Sequence, residues 1–414
     1  YGTPLYCYSH NELRTNIVNF KNNFKGVNPL ICFSVKSNSN KKILSEIKKF
    51  NIGADVVSKG ELVKALKSGI KPSKIVFSGV GKTLTELKYA IEKDILLINV
   101  ESESELFLIN KIAKLKKKVV NVGIRLNPDT DAKTIKKIST GNIENKFGVN
   151  EKEFLKLIEF SKLSKNLNVK CLSVHIGSQI LDYRPYKKML GVINKVIKKS
   201  NYKFEFIDLG GGMGIQYEKK SKKLNYKIYN NLIKKFLKNY DSKIIFEPGR
   251  SIIGSAGSLI SKITYIKKTK NKIFIILDCA MNDFLRPALY GAKHEILPTV
   301  KNSKKIKKTT EFVGPICETT DTFLKLSKFQ SIKEGDNIEI SFDGDEIISL
   351  LLPAKTVLKV TQTDPGHKGN TATNALKPAI LETGLEVQVP LFINEGDLVK
   401  IDTKDGSYSE RVKE

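Results

Sequence analysis

A lysine that ends an apolar segment is the first residue whose position suggests chemistry. Lys36 follows Leu30–Val35, a run typical of a buried strand. Burial at such an end favours the neutral amine, which can attack a carbonyl carbon and form a Schiff base. The alternative is a surface lysine whose aliphatic part covers apolar neighbours. We therefore predict Lys36 as a covalent attachment site.

A glycine triplet and an arginine could together bind a phosphate group. Gly210, Gly211 and Gly212 are consecutive and follow another apolar segment. Glycines let backbone N–H groups approach a phosphate closely, and Arg250 could add a positive charge. A tight turn explains three glycines equally well. The position after a seventh strand favours phosphate, because (β/α)8 barrels often bind it there.

Short β-branched segments must position these residues, and most are separated by amphipathic helical stretches. The predicted strands are Leu30–Lys36, Ile52–Ser58, Ile75–Gly79, Leu96–Glu101, Asn121–Asn127, Val169–Ser178, Phe204–Gly212 and Lys243–Arg250. The predicted helices between the early strands are Lys41–Lys49, Gly60–Ser68 and Leu84–Ile91. Eight strands alternating with helices over about 250 residues predict an α/β fold, the (β/α)8 barrel.

Polar residues gather at or near the carboxyl end of each predicted strand, where barrel enzymes place their catalytic groups. They are Lys36, Asp55, Ser58, Ser78, Glu101, Arg125, Asn127, His175, Ser178, Gly210–Gly212, Glu247 and Arg250. After Ser251 the pattern changes to strands without long helices. Ser258–Ile266, Lys272–Asp278 and Ile338–Phe342 predict a β-domain behind the barrel.

The composition narrows the class of protein. The net charge of +28 suggests nucleic-acid binding, but the lysines are scattered over predicted helix exteriors, which favours a solvated surface. No apolar run reaches the ~20 residues that cross a bilayer. Five cysteines without a paired spacing indicate reduced thiols, so we expect a cytoplasmic protein.

Six motifs stand in an order that resembles the alanine-racemase-fold decarboxylases, and most closely the diaminopimelate decarboxylases. They are Ser34-Val35-Lys36-Ser37-Asn38, Gly53-Ala54-Asp55-Val56-Val57-Ser58, His175-Ile176-Gly177-Ser178, Gly210-Gly211-Gly212, Glu247-Pro248-Gly249-Arg250 and Gly314-Pro315-Ile316-Cys317-Glu318. The resemblance covers roughly residues 1–335. It implies a pyridoxal 5'-phosphate-binding (β/α)8 barrel, a cofactor-dependent lyase and no metal.

The resemblance also implies a role for each residue of the cofactor site. Lys36 would hold the cofactor, Glu247 would contact the pyridine nitrogen and keep it protonated, and His175 would stack on the ring. The implied catalytic residues are Lys36, Cys317, His175 and Glu247. The implied cofactor-binding residues are Lys36, Asp55, His175, Ser178, Gly210, Gly211, Gly212, Glu247, Gly249 and Arg250.

Residues of the β-domain are implied to select the substrate. The segment Phe284–Tyr290 resembles the family segment whose arginine and tyrosine, with Arg250, hold a distal carboxylate. Arg286 and Tyr290 thus favour meso-diaminopimelate over the substrates of ornithine or arginine decarboxylases or of a racemase, because a distal ammonium group requires an acid instead.

A cysteine and a glutamate are implied to act across a subunit interface. Cys317 would be the proton donor to the substrate carbon, and Glu318 would bind the distal amino group. In the family this pair enters the active site of the other subunit, which implies a homodimer. An inert thiol is the alternative for Cys317.

The chain departs from the family in two places. Ile135 stands where the family usually has histidine. After Asp336 the family continues through a Gly-Ala-Tyr segment whose tyrosine contacts cofactor and substrate, whereas Ser341–Glu346 reads differently. We therefore expect a truncated β-domain and impaired activity.

The residues after this departure resemble the C-terminal OB-type domain of bacterial elongation factor P. The matching segments are Thr363–Ala372, Lys377–Ala379, Leu381–Gly384 and Val389–Ile393. Residues 355–414 carry eight basic and nine acidic residues, a net charge of −1, which leaves +29 for residues 1–354. A translation-factor module is thus an alternative function of the tail, although its charge provides no general attraction to RNA or the ribosome.

Three units follow from these patterns. They are a barrel over residues 1–253, a partial decarboxylase β-domain over 254–338, and an elongation-factor-P-like OB domain over 339–414. The expected partners are a small amino-acid substrate and a second copy of the chain. No membrane association is expected.

Overall fold

The computed structural model describes residues 1–131, 141, 145–217, 222–300, 305–341, 355–365, 376–402 and 406–412. Helix α1 (His10–Asn23) follows a short strand, β1 (Leu5–Tyr8). Eight parallel strands then close into a barrel: β2 (Leu30–Ser34), β3 (Gly53–Val56), β4 (Ile75–Phe77), β5 (Leu97–Val100), β6 (Val120–Arg125), β7 (Leu167–Ser173), β8 (Phe206–Asp208) and β9 (Lys243–Phe246). Pairing of Leu30 with Ile245 closes the ring, so the predicted barrel is confirmed.

Helices pack around these strands, and side-chain caps fix where several of them begin. They are α2 (Lys41–Lys49), α3 (Lys59–Lys67), α4 (Leu84–Glu92), α5 (Glu103–Leu115), α6 (Glu151–Leu163), α7 (Arg184–Ser200), α8 (Tyr226–Leu237) and α9 (Arg250–Ile253). Thr83 and Glu86 form a capping box at the start of α4. Such a pair satisfies two N–H groups that the first turn leaves without partners.

Both faces of the barrel strands are buried. Ile75 and Phe77 belong to the large apolar core, whereas Val76 between them belongs to a second cluster that includes Leu97 and Phe206. Because successive side chains of a strand point to opposite faces, one cluster lies under the helices and the other inside the barrel. This explains why the strands read as continuous apolar runs.

A second sheet follows the barrel. Its strands are β10 (Gly257–Lys268), β11 (Lys272–Leu277), β12 (Ile296–Pro298), β14 (Thr309–Val313), β15 (Thr322–Leu326) and β17 (Asn337–Ser341), in the order β12-β17-β10-β11-β14-β15. Helix α10 (Arg286–Tyr290) lies between β11 and β12, and β13 (Lys305–Ile306) pairs with β16 (Phe329–Gln330). Strand β1 also pairs with β10, and Ser258 of β10 pairs with Ser341. This sheet therefore includes the first strand of the chain and extends past residue 338.

The tail forms a sheet of its own. The antiparallel strands β18 (Lys355–Thr363), β19 (Leu376–Leu381), β20 (Glu386–Pro390), β21 (Leu398–Asp402) and β22 (Tyr408–Arg411) are ordered β20-β19-β18-β21-β22. Five antiparallel strands are the number in an OB fold. Val360, Val389 and Val399 are among the residues of a separate apolar core. The predicted departures at Ile135 and at 342–346, and much of the segment Thr363–Ala372, lie outside the described residues.

Candidate active site

A cavity of about 810 Å³ opens at the carboxyl ends of the barrel strands. This volume lies within the range of small-molecule sites. Nine of the predicted site residues line it: Lys36, His175, Ser178, Gly212, Glu247, Gly249, Arg250, Arg286 and Tyr290. The structure thus brings residues from the barrel and from α10 to one cavity.

Lys36 does not lie in a strand. Strand β2 ends at Ser34, and a turn of 3-10 helix over Val35–Ser37 carries Lys36 into the cavity. The prediction that Lys36 is buried is wrong, since its side chain is 54% exposed. The turn displaces it beyond the last ladder position of the strand. Its amine instead lies 3.8 Å from Asp55 Oδ2, an acid that is fully buried.

The ends of the first and last barrel strands are held together beneath the cavity. The Ser34 N–H donates to the carbonyl oxygen of Pro248 at 3.0 Å. The Ser34 hydroxyl lies 2.9 Å from Asp55 Oδ2 and 3.0 Å from the carbonyl oxygen of Glu247. Lys36 and Glu247 therefore face the same cavity from neighbouring strand ends.

Glu247 is buried, and the Ser78 hydroxyl donates to its Oε1 at 3.2 Å. Burial raises the pKa of the Glu247 carboxyl well above its usual range, and the nearby acids Asp208 and Asp55 raise it further. Such surroundings favour the protonated form of a carboxyl group over the ionised form.

The His175 ring is neutral and has a fixed orientation. The N–H of Gly211 donates to its Nδ1 at 3.1 Å, which places the ring proton on Nε2. Burial lowers the pKa of His175 well below its usual range, and the charges of Arg125 and Lys36 act in the same direction. A neutral imidazole held this way presents a flat face to a ligand.

The glycine triplet is required by neighbouring backbone. Gly210 and Gly212 have φ values of +65° and +83°. A Cβ at Gly211 would lie 2.1 Å from the carbonyl oxygen of Glu247, and one at Gly212 would lie 2.1 Å from that of Gly177. Only Gly212 of the three is among the described residues that line the cavity. The Gly210 N–H donates to Asp208 Oδ1 at 2.9 Å, so Gly210 and Gly211 shape the loop and orient its neighbours.

Two arginines that line the cavity converge on one tyrosine. The Arg286 guanidinium carbon lies 4.8 Å from the centre of the Tyr217 ring and 5.7 Å from that of Tyr290. Arg250 donates to the Tyr217 hydroxyl, and its guanidinium carbon lies 5.6 Å from the same ring. Two guanidinium groups around one tyrosine form a site for an anion, since carboxylates bind such groups through paired hydrogen bonds.

A buried histidine supports Arg286 from behind. The Arg286 Nε–H donates to His294 Nε2 at 3.2 Å, and His294 Nδ1 lies 3.3 Å from the carbonyl oxygen of Ser341. Burial lowers the pKa of His294 to about 3, and the charge of Arg286 contributes. The ring is therefore neutral, as it must be to accept from Arg286.

Cys317 and Glu318 are exposed and do not line the described cavity of this chain. Asp321 shapes their loop, because its carboxylate accepts from the N–H groups of Ile316 at 2.9 Å and Met281 at 2.7 Å. The structure thus separates this predicted pair from the other site residues of the same chain.

Some residues of the site were noted without a role, and others were missed. Ser78 and Arg125 belong to the polar ring at the strand ends, and both line the cavity. Asp208, which directly precedes Leu209 and the glycines, was a detectable signal because a buried acid at a strand end is rare. Tyr217 and His294 were missed, since no motif marks them and their roles depend on Arg250 and Arg286.

Pyridoxal phosphate fits the residues that are present. An accessible lysine, a neutral imidazole and a buried carboxyl with a raised pKa face one cavity. Arg250 Nε is buried without a hydrogen-bond partner in the described part of the chain, so a phosphate or carboxylate oxygen would satisfy it. Within the described residues, no group of His, Cys, Asp and Glu side chains could hold a metal ion. Nor does any described helix combine the length and apolar character needed to cross a membrane.

Comparisons with known protein families match two parts of the chain. Residues 10–254 match the family described as pyridoxal-dependent decarboxylase, pyridoxal binding domain. Residues 356–411 match elongation factor P, C-terminal. The first match spans the barrel, and the second spans the separate tail sheet.

Individual relatives extend the first match into the second sheet. Diaminopimelate decarboxylase of Helicobacter pylori is 43% identical over 347 residues, which cover 83% of this chain and 85% of that protein. The Aquifex aeolicus diaminopimelate decarboxylase is 40% identical over 349 residues, or 83% of this chain and 82% of its own length. A crystal structure of the Helicobacter pylori enzyme complexed with L-lysine aligns with a TM-score of 0.77 and 42% identity, over 82% of this chain and 86% of that one.

Proposed function

Because this chain belongs to the pyridoxal-dependent decarboxylases, and among them to the diaminopimelate decarboxylases, we propose that it converts meso-2,6-diaminopimelate into L-lysine and CO2. One observation carries the choice of substrate. Arg250 and Arg286 meet at Tyr217 in the same cavity that Lys36 and Glu247 line. This arrangement suits a substrate with an amino acid group at each end.

The barrel residues would hold the cofactor. Lys36 would bind it covalently, His175 would lie against its ring, and Ser178, Gly212 and Gly249 would surround its phosphate. Asp55 would hold the Lys36 amine in place when the cofactor is not attached to it. The Asp55 carboxylate can do this because the Ser34 hydroxyl donates to it at 2.9 Å. When bound, pyridoxal phosphate supplies an electron sink for the electron pair of the broken bond between the α-carbon and its carboxyl group.

Residues of α9 and α10 together would hold the distal end of the substrate. Arg286 and Arg250 would bind the distal carboxylate, with Tyr290 beside them, and Tyr217 keeps both guanidinium groups in place. Ornithine and arginine carry a distal cation, which two guanidinium groups repel. This disfavours the ornithine and arginine decarboxylase alternatives.

A second copy of the chain would complete the site. Cys317 and Glu318 are exposed here, which supports their entry into the cavity of a partner subunit, where Cys317 would protonate the substrate carbon. The protein would then be a homodimer and, with its reduced thiols, cytoplasmic. A solution mass of one chain at working concentration contradicts this assembly.

The chain would consist of three units with boundaries near residues 253 and 338. The last of them, the tail, would be a folded appendage. Its match to elongation factor P concerns only the C-terminal domain of that factor, so we do not assign it a part in translation. Co-sedimentation of the full chain with ribosomes would reverse this assignment. Because the family's Gly-Ala-Tyr segment has no counterpart in the sequence, we expect turnover below that of the relatives.

Reconstitution with pyridoxal phosphate tests the proposal. The full chain should take up the cofactor with the visible absorbance of a lysine adduct and release CO2 from meso-diaminopimelate in preference to ornithine or arginine. Lys36→Ala should lose the adduct, whereas Lys41→Ala, an exposed lysine of α2, should keep it. An unchanged adduct in Lys36→Ala disproves the attachment site, and preferential turnover of ornithine disproves the substrate.

A further inference from the structure

A buried histidine stands behind the arginine that would hold the distal carboxylate. His294 is 2% exposed, and its ring packs edge-on against two aromatic rings, with centres 4.6 Å from that of Phe284 and 4.9 Å from that of Tyr217. These rings fix the plane of the imidazole. A buried polar group has a cost unless it is hydrogen-bonded, so the partners of the two ring nitrogens indicate what His294 holds in place.

The two nitrogens of His294 have different partners, which decide where the ring proton lies. The Arg286 Nε–H donates to Nε2 at 3.2 Å, so Nε2 carries a lone pair. Nδ1 lies 3.3 Å from the carbonyl oxygen of Ser341, which can only accept, so Nδ1 carries the proton. The ring therefore links one backbone carbonyl to one guanidinium group, and the position of the first sets that of the second.

The carbonyl at the far end of this link is fixed by the second sheet. The Ser341 N–H donates to the carbonyl oxygen of Glu295, the neighbour of His294 in the sequence, at 2.9 Å. Ser341 also pairs with Ser258 in the ladder between β10 and β17. Because the anchor of the ring is a backbone carbonyl, it does not depend on the side chain at position 341. The sequence departure near this residue therefore leaves the support of Arg286 in place.

The contact at Nε determines how Arg286 can receive an anion. A guanidinium group has five N–H donors, and a carboxylate can pair either with Nε and one Nη group or with the two Nη groups. His294 occupies the Nε–H, which leaves the second arrangement. Tyr217 and Tyr290 flank the same guanidinium, with ring centres 4.8 and 5.7 Å from its central carbon. The orientation of Arg286 is therefore set before a ligand binds.

The charges around His294 keep its ring neutral. Burial lowers the pKa of His294 to about 3, with help from the charge of Arg286 and a smaller contribution from Arg250, whereas the hydrogen bond to Ser341 acts in the opposite direction. Nε2 therefore keeps its lone pair at neutral pH, and Arg286 keeps its acceptor.

We propose that His294 sets the affinity of the site for ligands that carry a distal carboxylate, by holding Arg286 so that its two Nη groups face the ligand. His294 is a positioning residue, because it contacts the arginine and acts on the substrate only through it. The inference rests on the proposed function, since it takes the distal end of that substrate as the ligand of Arg286. It adds a residue that distinguishes a carboxylate-bearing ligand from the same ligand without this group.

Two ligands that differ only in this carboxylate test the assignment. L-lysine, the proposed product, keeps the distal carboxylate, whereas cadaverine, the corresponding diamine, lacks it. Calorimetry measures the binding of each to the full chain loaded with pyridoxal phosphate. His294→Leu removes the acceptor and should raise the Kd for L-lysine roughly 10-fold, with the Kd for cadaverine unchanged. His294→Gln keeps an acceptor and should restore most of the affinity for L-lysine. His10→Leu, at an exposed histidine of α1, should match the wild type.

The outcomes separate the inference from the proposed function. An unchanged Kd for L-lysine in His294→Leu, or an equal loss for both ligands, overturns the inference and leaves the proposed function standing. A full chain that does not take up pyridoxal phosphate overturns both. If His294→Leu does not fold, His294→Asn replaces it, because its amide is one carbon shorter than that of His294→Gln and should not reach Arg286. Equal affinities for L-lysine in the Asn and Gln variants then contradict the positioning role.

Discussion

The barrel side and the sheet side of the cavity are built differently. On the barrel side, Glu247 and His175 are held by buried hydrogen bonds of 3.2 and 3.1 Å to other parts of the barrel. On the sheet side, Arg286 is held by aromatic rings and one histidine, and Cys317 is exposed. A closed barrel fixes its strand ends relative to one another, whereas a loop beside an open sheet depends on what packs against it. We therefore expect the cofactor to be held by the barrel of one chain, and the substrate half to need Cys317 of a second copy.

Gly212→Ala changes the barrel side of the cavity and should have the largest effect. Its Cβ would lie 2.1 Å from the carbonyl oxygen of Gly177, at a φ of +83°. We expect a loss of roughly 3 kcal/mol in the free energy of unfolding and loss of cofactor binding, measured by denaturant titration and absorbance. The matched control is Gly191→Ala in α7, where the new Cβ meets nothing within 4 Å. That variant should gain up to about 1 kcal/mol, and equal losses in both would show that the loop is not constrained.

Arg286→Ala changes the sheet side of the cavity and should weaken substrate binding without changing cofactor binding. Removing one charged partner of a carboxylate costs about 1.5–3 kcal/mol, so KM for meso-diaminopimelate should rise roughly 10- to 100-fold. The affinity for pyridoxal phosphate should not change, because the residues that would bind it lie on the barrel. Arg286→Lys keeps the charge without the paired donors and should lie between. A parallel loss of cofactor affinity would show that the two sides are not independent.

The same contrast governs what could be predicted from the sequence. The eight strands were predictable because each is a short apolar run, and the rim residues because they end those runs. The exposure of Lys36 was not, since β2 ends at Ser34, whose N–H donates to the Pro248 carbonyl of a distant part of the chain, and a turn over Val35–Ser37 follows. Asn99 and His294 have no local signal, because their partners, Asp208 and Arg286, lie on other elements.

His294→Gln should change how stability depends on pH. The pKa of His294 is about 3 in the folded protein against 6.5 ordinarily, so below pH 6.5 the unfolded chain takes up a proton that the folded chain does not. Its contribution to stability is present above pH 6.5 and is lost as the pH falls toward 3. Between pH 7.5 and 5 this histidine should lower the free energy of unfolding by about 2 kcal/mol. In His294→Gln that contribution is absent, so the decrease over the same pH range should be smaller by the same amount. Parallel profiles in denaturant titrations would rule out a neutral histidine behind Arg286.

Deleting residues 355–414 should have the smallest effect. Val360, Val389 and Val399 pack in the tail's own core, and no described tail residue lines the cavity. The deleted part therefore carries its own stabilising contacts, and the rest keeps both sides of the site. Cofactor absorbance and CO2 release should stay within about twofold of the full chain, a difference of less than 0.5 kcal/mol. Gly191→Ala in the full chain is the control for a substitution that leaves the site intact. If the deletion lowers cofactor absorbance or CO2 release by more than twofold and the control does not, the tail supports the sheet side of the cavity.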